Sequence, residues 1–568
     1  MQNRPPIRRR PSRTITTLVA LLAAGACYLS FRSIYARLPG HPPPIVTHFP
    51  DLTPRPPVRF VDRARGAGLD YQWEISGSRP IDILQSIGNG CAFLDYDNDG
   101  NLDVLLVGPK LALYKGDGRG HFMDVTRRTD LDKLQGHFLG CAVGDYDNDG
   151  YDDVYLSGYR TGLLLHNEHG QGFKDVTEQA GLKTQPWGTT CAFGSFNGSR
   201  FLDLFIGNYV DFRPEQFGQQ GGPMQYAPFQ GVLYHNGGGH FQDVTAAWGV
   251  DKTPGRGLGA AWAPLGESGR VGLAVANDMN RDSLLVQAGS GRVRDVAARS
   301  GVASVPRGRG FIVPGRMGID WGDYDNDGRL DLFVTTFQGE PKILLHNVGG
   351  DVFQDVGGGL NGPLLSNLAF GAKWLDADNS GRLSLLVSNG HLNDDIQIKD
   401  PMSSYRQPTL FLYNQTGRGL ADDTKGAGMD TLPLIVGRGL AVGDYDNDGR
   451  VDALVVDSEG KPLLLHNETD PAGHWLSLTL VGTRCNRDGY GAMVTVKAGG
   501  LTQTRLCHAD GSYLSSSDKR VHVGLGAARR AETLSVRWPD GATDTLRGVA
   551  ADRHLRIVEG TGRAEVLP

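Results

Sequence analysis

Four nine-residue phrases in this chain place carboxylates at one fixed spacing. The first sets Asp95, Asp97, Asp99 and Asp103 around Gly100, and the second sets Asp145, Asp147, Asp149 and Asp153 around Gly150. Asp323, Asp325, Asp327 and Asp331 repeat the pattern around Gly328, as do Asp444, Asp446, Asp448 and Asp452 around Gly449. Carboxylates at positions 1, 3, 5 and 9 of a loop can converge on one hard cation. Calcium takes about six to eight oxygens, and a backbone carbonyl from position 7 (Asn101, Tyr151, Arg329 or Arg450) with water can complete the shell. Glycine at position 6 permits the turn that bulkier residues resist. A single Asp/Asn/Gly cluster is ordinarily a plain turn; four near-identical copies point to calcium, Ca2+.

Apolar runs flank each phrase. Cys91 to Leu94 precede the first and Val104 to Val107 follow it, which predicts strands rather than the helices of an EF-hand. The loops are therefore expected at the turns of β-hairpins. Three further copies are degenerate. The one from Ser195 to Asp203 lacks the glycine and most of the charge, and Pro264 to Gly272 has no carboxylate at a ligand position. The copy at Asp376 keeps Asp378, Ser380 and Gly381 but has Ser384 at position 9, giving a doubtful site.

Two more elements recur with the loops, at a period that signals a repeat array. One is a strand ending in a turn, as in Leu163 to Asn167, Val232 to Asn236, Ile343 to Asn347, Leu410 to Asn414 and Leu463 to Asn467, with looser copies at Leu111 and Ser283. The other reads Phe122 to Thr126, Phe173 to Thr177, Phe241 to Thr245 and Phe353 to Val356, with degenerate copies at Val293 and Leu420. No copy of the latter follows the seventh loop. The missing one stands in front, at Phe60 to Asp62. A strand moved from the end of an array to its beginning is what closure demands, because it removes an exposed edge. The expected fold is all-β: a seven-bladed β-propeller with calcium-binding hairpin loops over 58–468, then a small β domain over 469–568. An open solenoid is the alternative, and it would want capping repeats.

Composition suits this. Glycine is 80 of 568 residues, about twice the usual share, as in a loop-rich β chain. The net charge of -6 is concentrated in the loops, and no basic stripe suggests nucleic acid. The first 38 residues differ in kind: Arg4, Arg8, Arg9, Arg10 and Arg13 precede an apolar run from Ile15 to Phe31. Three readings stay open: a signal peptide cut before Cys27, an uncleaved anchor over residues 14–31 with its arginines inside, or lipid attachment at Cys27. Each places the body of the protein outside the cytoplasm, secreted or membrane-anchored. Prolines crowd residues 39–57, predicting a stiff spacer.

Cys91, Cys141 and Cys191 share one repeat position and read as small buried residues, whereas Cys485 and Cys507 could pair outside the cell. His166, His235, His346 and His466 also share a position, so they are expected as strand ends on separate blades. Neither a Gly-x-Ser-x-Gly elbow nor a His-Glu-x-x-His helix is present, and no catalytic residue is nominated. Two insertions are better candidates for a functional surface, because long connections on a rigid scaffold commonly carry binding. One spans 208–230, with Tyr209, Phe212, Phe217, Tyr226 and Phe229. The other spans 389–408, with His391, Asn393, Asp394, Asp395 and Tyr405. Covering a blade edge is their bland alternative.

After Asp470 the strand pattern continues without acidic loops, through Trp475 to Leu480, Ala492 to Lys497, Leu501 to Leu506, Val521 to Val523 and Leu534 to Arg537. At this point the chain resembles the cartilage acidic protein/UnbV (ASPIC) family, whose propeller loops are of FG-GAP (VCBS, integrin α-like) type. The resemblance is carried by the acidic loops and by Asn486 to Gly489, Gly511 to Ser515, His522 to Gly526 and Arg537 to Gly541. Met317 to Trp321 and Ser388 to His391 add to it. It implies an exported calcium-binding propeller without established enzymatic activity, acting as a binding scaffold for a protein or glycan ligand. The alternative is an exported propeller enzyme acting on glycans or on an enediyne-type biosynthetic intermediate.

Overall fold

The computed structural model describes residues 58–567 apart from 197, 214, 216–221, 267–268, 290, 304–313 and 361–362. The arginine-flanked apolar run, Cys27, the proline-rich spacer and Phe217 therefore lie outside the described residues. Strands dominate, and they form nine four-stranded sheets. Seven sheets take up residues 60–467 and two the remainder.

The first sheet shows how the repeat becomes structure. Cys91–Leu94 and Asp103–Leu106 pair antiparallel, joined by the first acidic loop, and both are buried along their whole length. Their sequences are continuous apolar runs because neighbours cover both faces. Ala112–Gly116 adds the third strand, and Phe122–Asp124 the fourth, which is largely exposed. The same order of four recurs in the following five sheets. Only the seventh differs. There Gly437–Gly443, Asp452–Asp457 and Leu463–Asn467 are completed by Phe60–Asp62, with Phe60 opposite Asn467 and Asp62 opposite Leu465.

First strands of successive sheets pack on each other in chain order, and the seventh, Gly437–Gly443, also packs on the first, Cys91–Leu94. Buried side chains fill the space between neighbours. Phe93, Val104 and Leu106 of sheet one share a cluster with Ala441, Leu454 and Leu464 of sheet seven. Phe196 and Phe205 of sheet three pack with Trp262 and Leu273 of sheet four in the same way.

In the C-terminal part, His474–Val481 lies between Val521–Gly526 and Arg553–Val558, and pairs parallel with the latter. Met493–Ala498 lies between Leu501–Leu506 and Arg530–Arg537. Thr543–Ala550, Arg553–Val558 and Ala564–Val566 are strands that the sequence pattern did not reveal. In Arg553–Val558 only Leu555 and Ile557 are fully buried, and Arg553, His554 and Arg556 mask the run. Leu480, Tyr490 and Trp538 of this part share one core with Tyr146, Phe193 and Leu202 of sheets two and three.

Candidate metal centre

Each acidic loop is first a hydrogen-bonded turn. The position-1 carboxylate closes it: Asp145 accepts from the Asp149 and Gly150 N–H groups at 3.0 and 2.9 Å. Asp95, Asp323, Asp376 and Asp444 accept from the equivalent two amides of their own loops. Gly150 takes a φ of 98°, which a side chain would resist. Position 9 ties the loop to its sheet, because buried Asp153 accepts from Tyr146 N–H at 3.2 Å and from Asn167 N–H at 2.8 Å. Asp103, Asp331 and Asp452 do the same.

Positions 3 and 5 remain to face a cation. Oxygens of Asp95, Asp97 and Asp99 converge within 4.8 Å, and so do those of Asp145, Asp147 and Asp149. Asp97 Oδ1 and Asp446 Oδ1 are buried without a hydrogen-bond partner, which is the state expected of an oxygen that a metal would satisfy. The donor set is oxygen and anionic, suited to a hard divalent ion. Burial raises the position-1 and position-9 carboxyls, to about 8 for Asp103, about 7 for Asp153 and about 6 for Asp95.

The recurring histidines join these clusters, each in its own sheet. His166 Nδ1 lies 3.2 Å from Asp153 and 3.4 Å from Asp147. His346 stands in the same way beside Asp331 and Asp325, and His466 beside Asp452 and Asp446. They are strand ends, and each also faces its own acidic loop; the signal was the shared place just before the Asn that closes the strand, since the distance from position 9 varies. The nearby Asp153 carboxylate lifts His166 to about 9. In sheet one the corresponding residue is Lys115. Its ammonium contacts Asp97 and lies 2.9 Å from Asp99.

The degenerate loops separate by structure as well. In sheet three His235 sits 2.8 Å from Asp203, where the loop offers no further carboxylate. In sheet six Tyr413 replaces the histidine and its hydroxyl donates to Asp378 at 2.7 Å. Ser380 N–H there binds Asp376 at 2.9 Å, and Asp376 and Asp378 are both buried. In sheet four the strands Gly257–Leu265 and Arg270–Asn277 meet in a short hairpin.

Position 4 is an asparagine in every loop with a position-1 aspartate, with φ between 55° and 63°. Asparagine tolerates this left-handed backbone, and its amide nitrogen reaches the next loop. Asn98 donates to Gly150 O at 2.7 Å, Asn148 to Arg200 O at 3.0 Å, Asn326 to Gly381 O at 2.9 Å and Asn379 to Gly449 O at 2.8 Å. Asn447 donates back to Asn101 in the first loop. The amide oxygens turn to the C-terminal part: Asn148 accepts from Arg487 N–H at 3.1 Å and Asn447 from Arg520 at 2.8 Å, while His522 Nε2 lies 2.6 Å from Asn379 Oδ1. C-terminal cations also approach the position-1 end of the loops. Arg487 stands 3.5 Å from Asp145, and Lys519 bridges Asp152 and Asp488.

One C-terminal segment goes further. Between Asp510 and Asp518 it binds the first strands of six of the seven sheets. Leu514 O accepts from Cys141 N–H, Ser512 O from Ile319 N–H and Ser516 O from Phe93 N–H, at 3.0 to 3.1 Å. Asp510 takes Trp262 N–H at 2.8 Å, Lys373 donates to Asp510 O, and Asp518 N–H donates to Val442 O. Those strands have no neighbouring strand on that edge, so the segment satisfies amides that would otherwise lack protein partners. Gly511 to Ser515, a phrase that carries the family resemblance, thus has a structural role as the middle of this segment. Cys485 and Cys507 are free buried thiols, not a disulfide; Cys485 Sγ lies against Glu559 and Cys507 Sγ against Asp488 O.

The acidic loops join first to second strands, whereas the two insertions join second to third strands and so emerge at the opposite end. There Tyr209, Phe212 and Tyr226 are buried in one cluster with Trp187, Phe370 and Tyr513. His391 and Tyr405 are buried as well. Asp394 pairs with Arg79 at 3.0 Å and Asp395 with Lys399 at 2.9 Å. Residues of both insertions line a single cleft of about 660 Å³.

Comparison with known proteins agrees with this anatomy. The ASPIC and UnbV family model matches residues 482–564, and the FG-GAP-like repeat model matches residues 95–156, which hold the first two acidic loops. The chain thus resembles the ASPIC and UnbV family over its C-terminal part and FG-GAP-like repeats over its first two acidic loops. Cartilage acidic protein 1 of Xenopus tropicalis is 27% identical over 324 residues, covering 54% of this chain and 45% of that protein. Its Homo sapiens counterpart is 26% identical, covering 56% and 46%. The chain thus spans just under half the length of the curated relatives it matches. Among solved structures, the BP39L lectin from Burkholderia pseudomallei aligns with a TM-score of 0.42 and 11% identity, over 67% of this chain and 99% of that one.

Proposed function

We propose that residues 58–468 form a seven-bladed β-propeller whose acidic loops bind calcium, and that the propeller with its C-terminal β domain (469–568) is an extracytoplasmic interaction scaffold. The observation that carries the reading is the cyclic order of contacts. Sheet seven is completed by Phe60–Asp62 and packs on sheet one, and Asn447 links the seventh loop to the first. Loops two, five and seven supply four carboxylates each for calcium, and the carbonyls of Tyr151, Arg329 and Arg450 would complete the shell. In loop one, Lys115 stands where the ion would sit.

Calcium in this reading sets shape rather than performing chemistry. It binds the folded loops alone, and each occupied site stabilises by about 2.7 kcal/mol when calcium is a hundredfold above its dissociation constant. Melting the protein in excess chelator and in millimolar calcium is the test: a rise in Tm is expected, and an unchanged Tm refutes calcium binding. Placement outside the cytoplasm is supported by the arginine-flanked apolar run and by relatives named for cartilage. No helix among the described residues is long and apolar enough to cross a membrane, so anchoring rests on residues 14–31. Protease added to intact cells, or to spheroplasts, should digest the propeller, and full protection beside a degraded external control would overturn the location.

A further inference from the structure

The cleft at the insertion end is distinct from the acidic loops. Its walls are Ile87, Tyr209, Leu258, Met317, Phe370 and Leu392. Its volume of about 660 Å³ is within the range of small-molecule sites, which are mostly apolar with a few fixed polar groups. The segment that leads into the first sheet and the two long insertions build it together with residues of sheets four to six, among them Leu258, Met317 and Phe370. Such connections would need no shared cavity if they served only to cover strand edges. The opening is apolar too, with Met224 57% exposed on the rim and Ile398 84% exposed on the turn that carries Lys399.

The charged groups of the lining are mostly acidic. Asp82, Asp278, Glu340 and Asp395 stand against a single ammonium, Lys399, which is already 2.9 Å from Asp395. Asp278 accepts from Tyr209 at 2.6 Å, and Glu340 accepts from the Gly315 and Phe337 N–H groups at 3.0 and 3.2 Å. Arg256 lies near Asp278 and offsets part of its charge. Glu340 has only backbone N–H donors here, with Lys342 as its nearby cation, and Lys342 is itself turned to the carbonyls of Thr336, Phe337 and Asn367. Burial raises both carboxyls, Asp278 to about 6. An apolar chamber whose fixed charges are mostly anionic and partly desolvated favours a ligand that brings its own positive charge.

We propose that this cleft binds a small amphipathic organic cation, its apolar body between Met317, Leu258 and Phe370 and its ammonium group toward Glu340 and Asp278. The floor of the same cluster includes Tyr513, the tip of the C-terminal segment, whose hydroxyl donates to Ile87 O at 2.8 Å. The C-terminal part thus supports the Ile87 wall of the cleft from behind.

Calorimetry on the full-length protein with octylammonium and octanoate isolates the two ingredients, since the apolar bodies are alike and the head groups differ in sign. Octylammonium should bind saturably and at least about tenfold more tightly than octanoate, the equivalent of about 1.4 kcal/mol. Glu340→Gln, which keeps the volume, should bring the two affinities together, and Leu392→Trp should weaken both by filling the chamber. If Glu340→Gln does not fold, Asp278→Asn gives the same comparison. Equal affinities for the two ions in the native protein, absence of saturable binding, or binding unchanged by Leu392→Trp in a normally melting variant would each overturn the proposal.

Discussion

Lys115 and His166 occupy the same repeat position, yet they do different work. Lys115 brings a fixed positive charge onto Asp97 and Asp99, while His166 shares its charge with a buried Asp153. An internal ammonium competes with any ion for the same oxygens, so loop one should be the weakest of the four acidic loops. Lys115→His should raise the calcium bound per chain by about one, and Asp325→Ala should lower it by about one. Metal counting after dialysis decides this, and no gain in the first variant would show that Lys115 is not the occupant. The titrations give a second expectation. Above 3.8 the unfolded chain has released protons that the metal-free fold keeps on Asp95, Asp153 and Asp103, whose values are about 6, 7 and 8. The unfolded state then binds fewer protons, so stability falls as pH rises toward 8. His166 acts in the same direction: its contribution is complete below its unfolded value of 6.5 and is lost as pH passes about 9. Calcium takes over the role of those protons. Its effect on Tm should therefore be larger at about pH 8 than at about pH 5.5, and the reverse order would contradict the loop electrostatics.

The hairpin with its loop is the element that the sequence announced best. Period, flanking apolar runs and the displaced strand at Phe60 were all visible because each is encoded locally or by counting repeats. Position 4 was not. Its asparagine looked like turn filler, whereas its nitrogen reaches the following loop and its oxygen the C-terminal part, partners over 50 and up to 346 residues away. Long-range hydrogen bonds leave no periodic trace. The same holds for Thr543–Ala550 and Arg553–Val558, whose exposed polar residues interrupt the alternation. The element-scale prediction follows from the two jobs of Asn326. Asn326→Gly keeps the left-handed backbone and loses the 2.9 Å bond to Gly381 O, costing about 1 kcal/mol. Asn326→Ala loses the bond and also strains the backbone, adding about 1 kcal/mol more. Denaturant unfolding of both variants separates the terms, and equal stabilities would remove the conformational part of the argument.

At the scale of the whole molecule, the C-terminal part joins six of the seven sheets by threading one segment against their first strands. The position-4 asparagines and the position-1 carboxylates face the same partner, so the loops, the sheets and the segment should respond together when any one is disturbed. Backbone geometry shows how tightly the segment is held. Ser512 and Leu514 keep φ values of 56° and 54°, which non-glycine residues adopt only where surroundings enforce them. Leu514→Gly accepts that φ and keeps the carbonyl that takes Cys141 N–H, but it removes a buried side chain from the Trp187 cluster and should cost about 2–5 kcal/mol. Gly90→Ala is the opposite case. A Cβ there would lie 1.7 Å from Leu514 O, and the backbone of the segment must move to admit it. That shift breaks bonds to several first strands at once, each worth about 1 kcal/mol, and it loosens the cover over the acidic loops. Gly90→Ala should accordingly melt well below the native protein and bind calcium more weakly, while Leu514→Gly melts lower through lost packing but keeps native calcium affinity. Measured together, the two variants distinguish a structural keystone from a loosely docked appendage: a Gly90→Ala protein with native Tm and native calcium affinity would show that the sheets hold their arrangement without the segment.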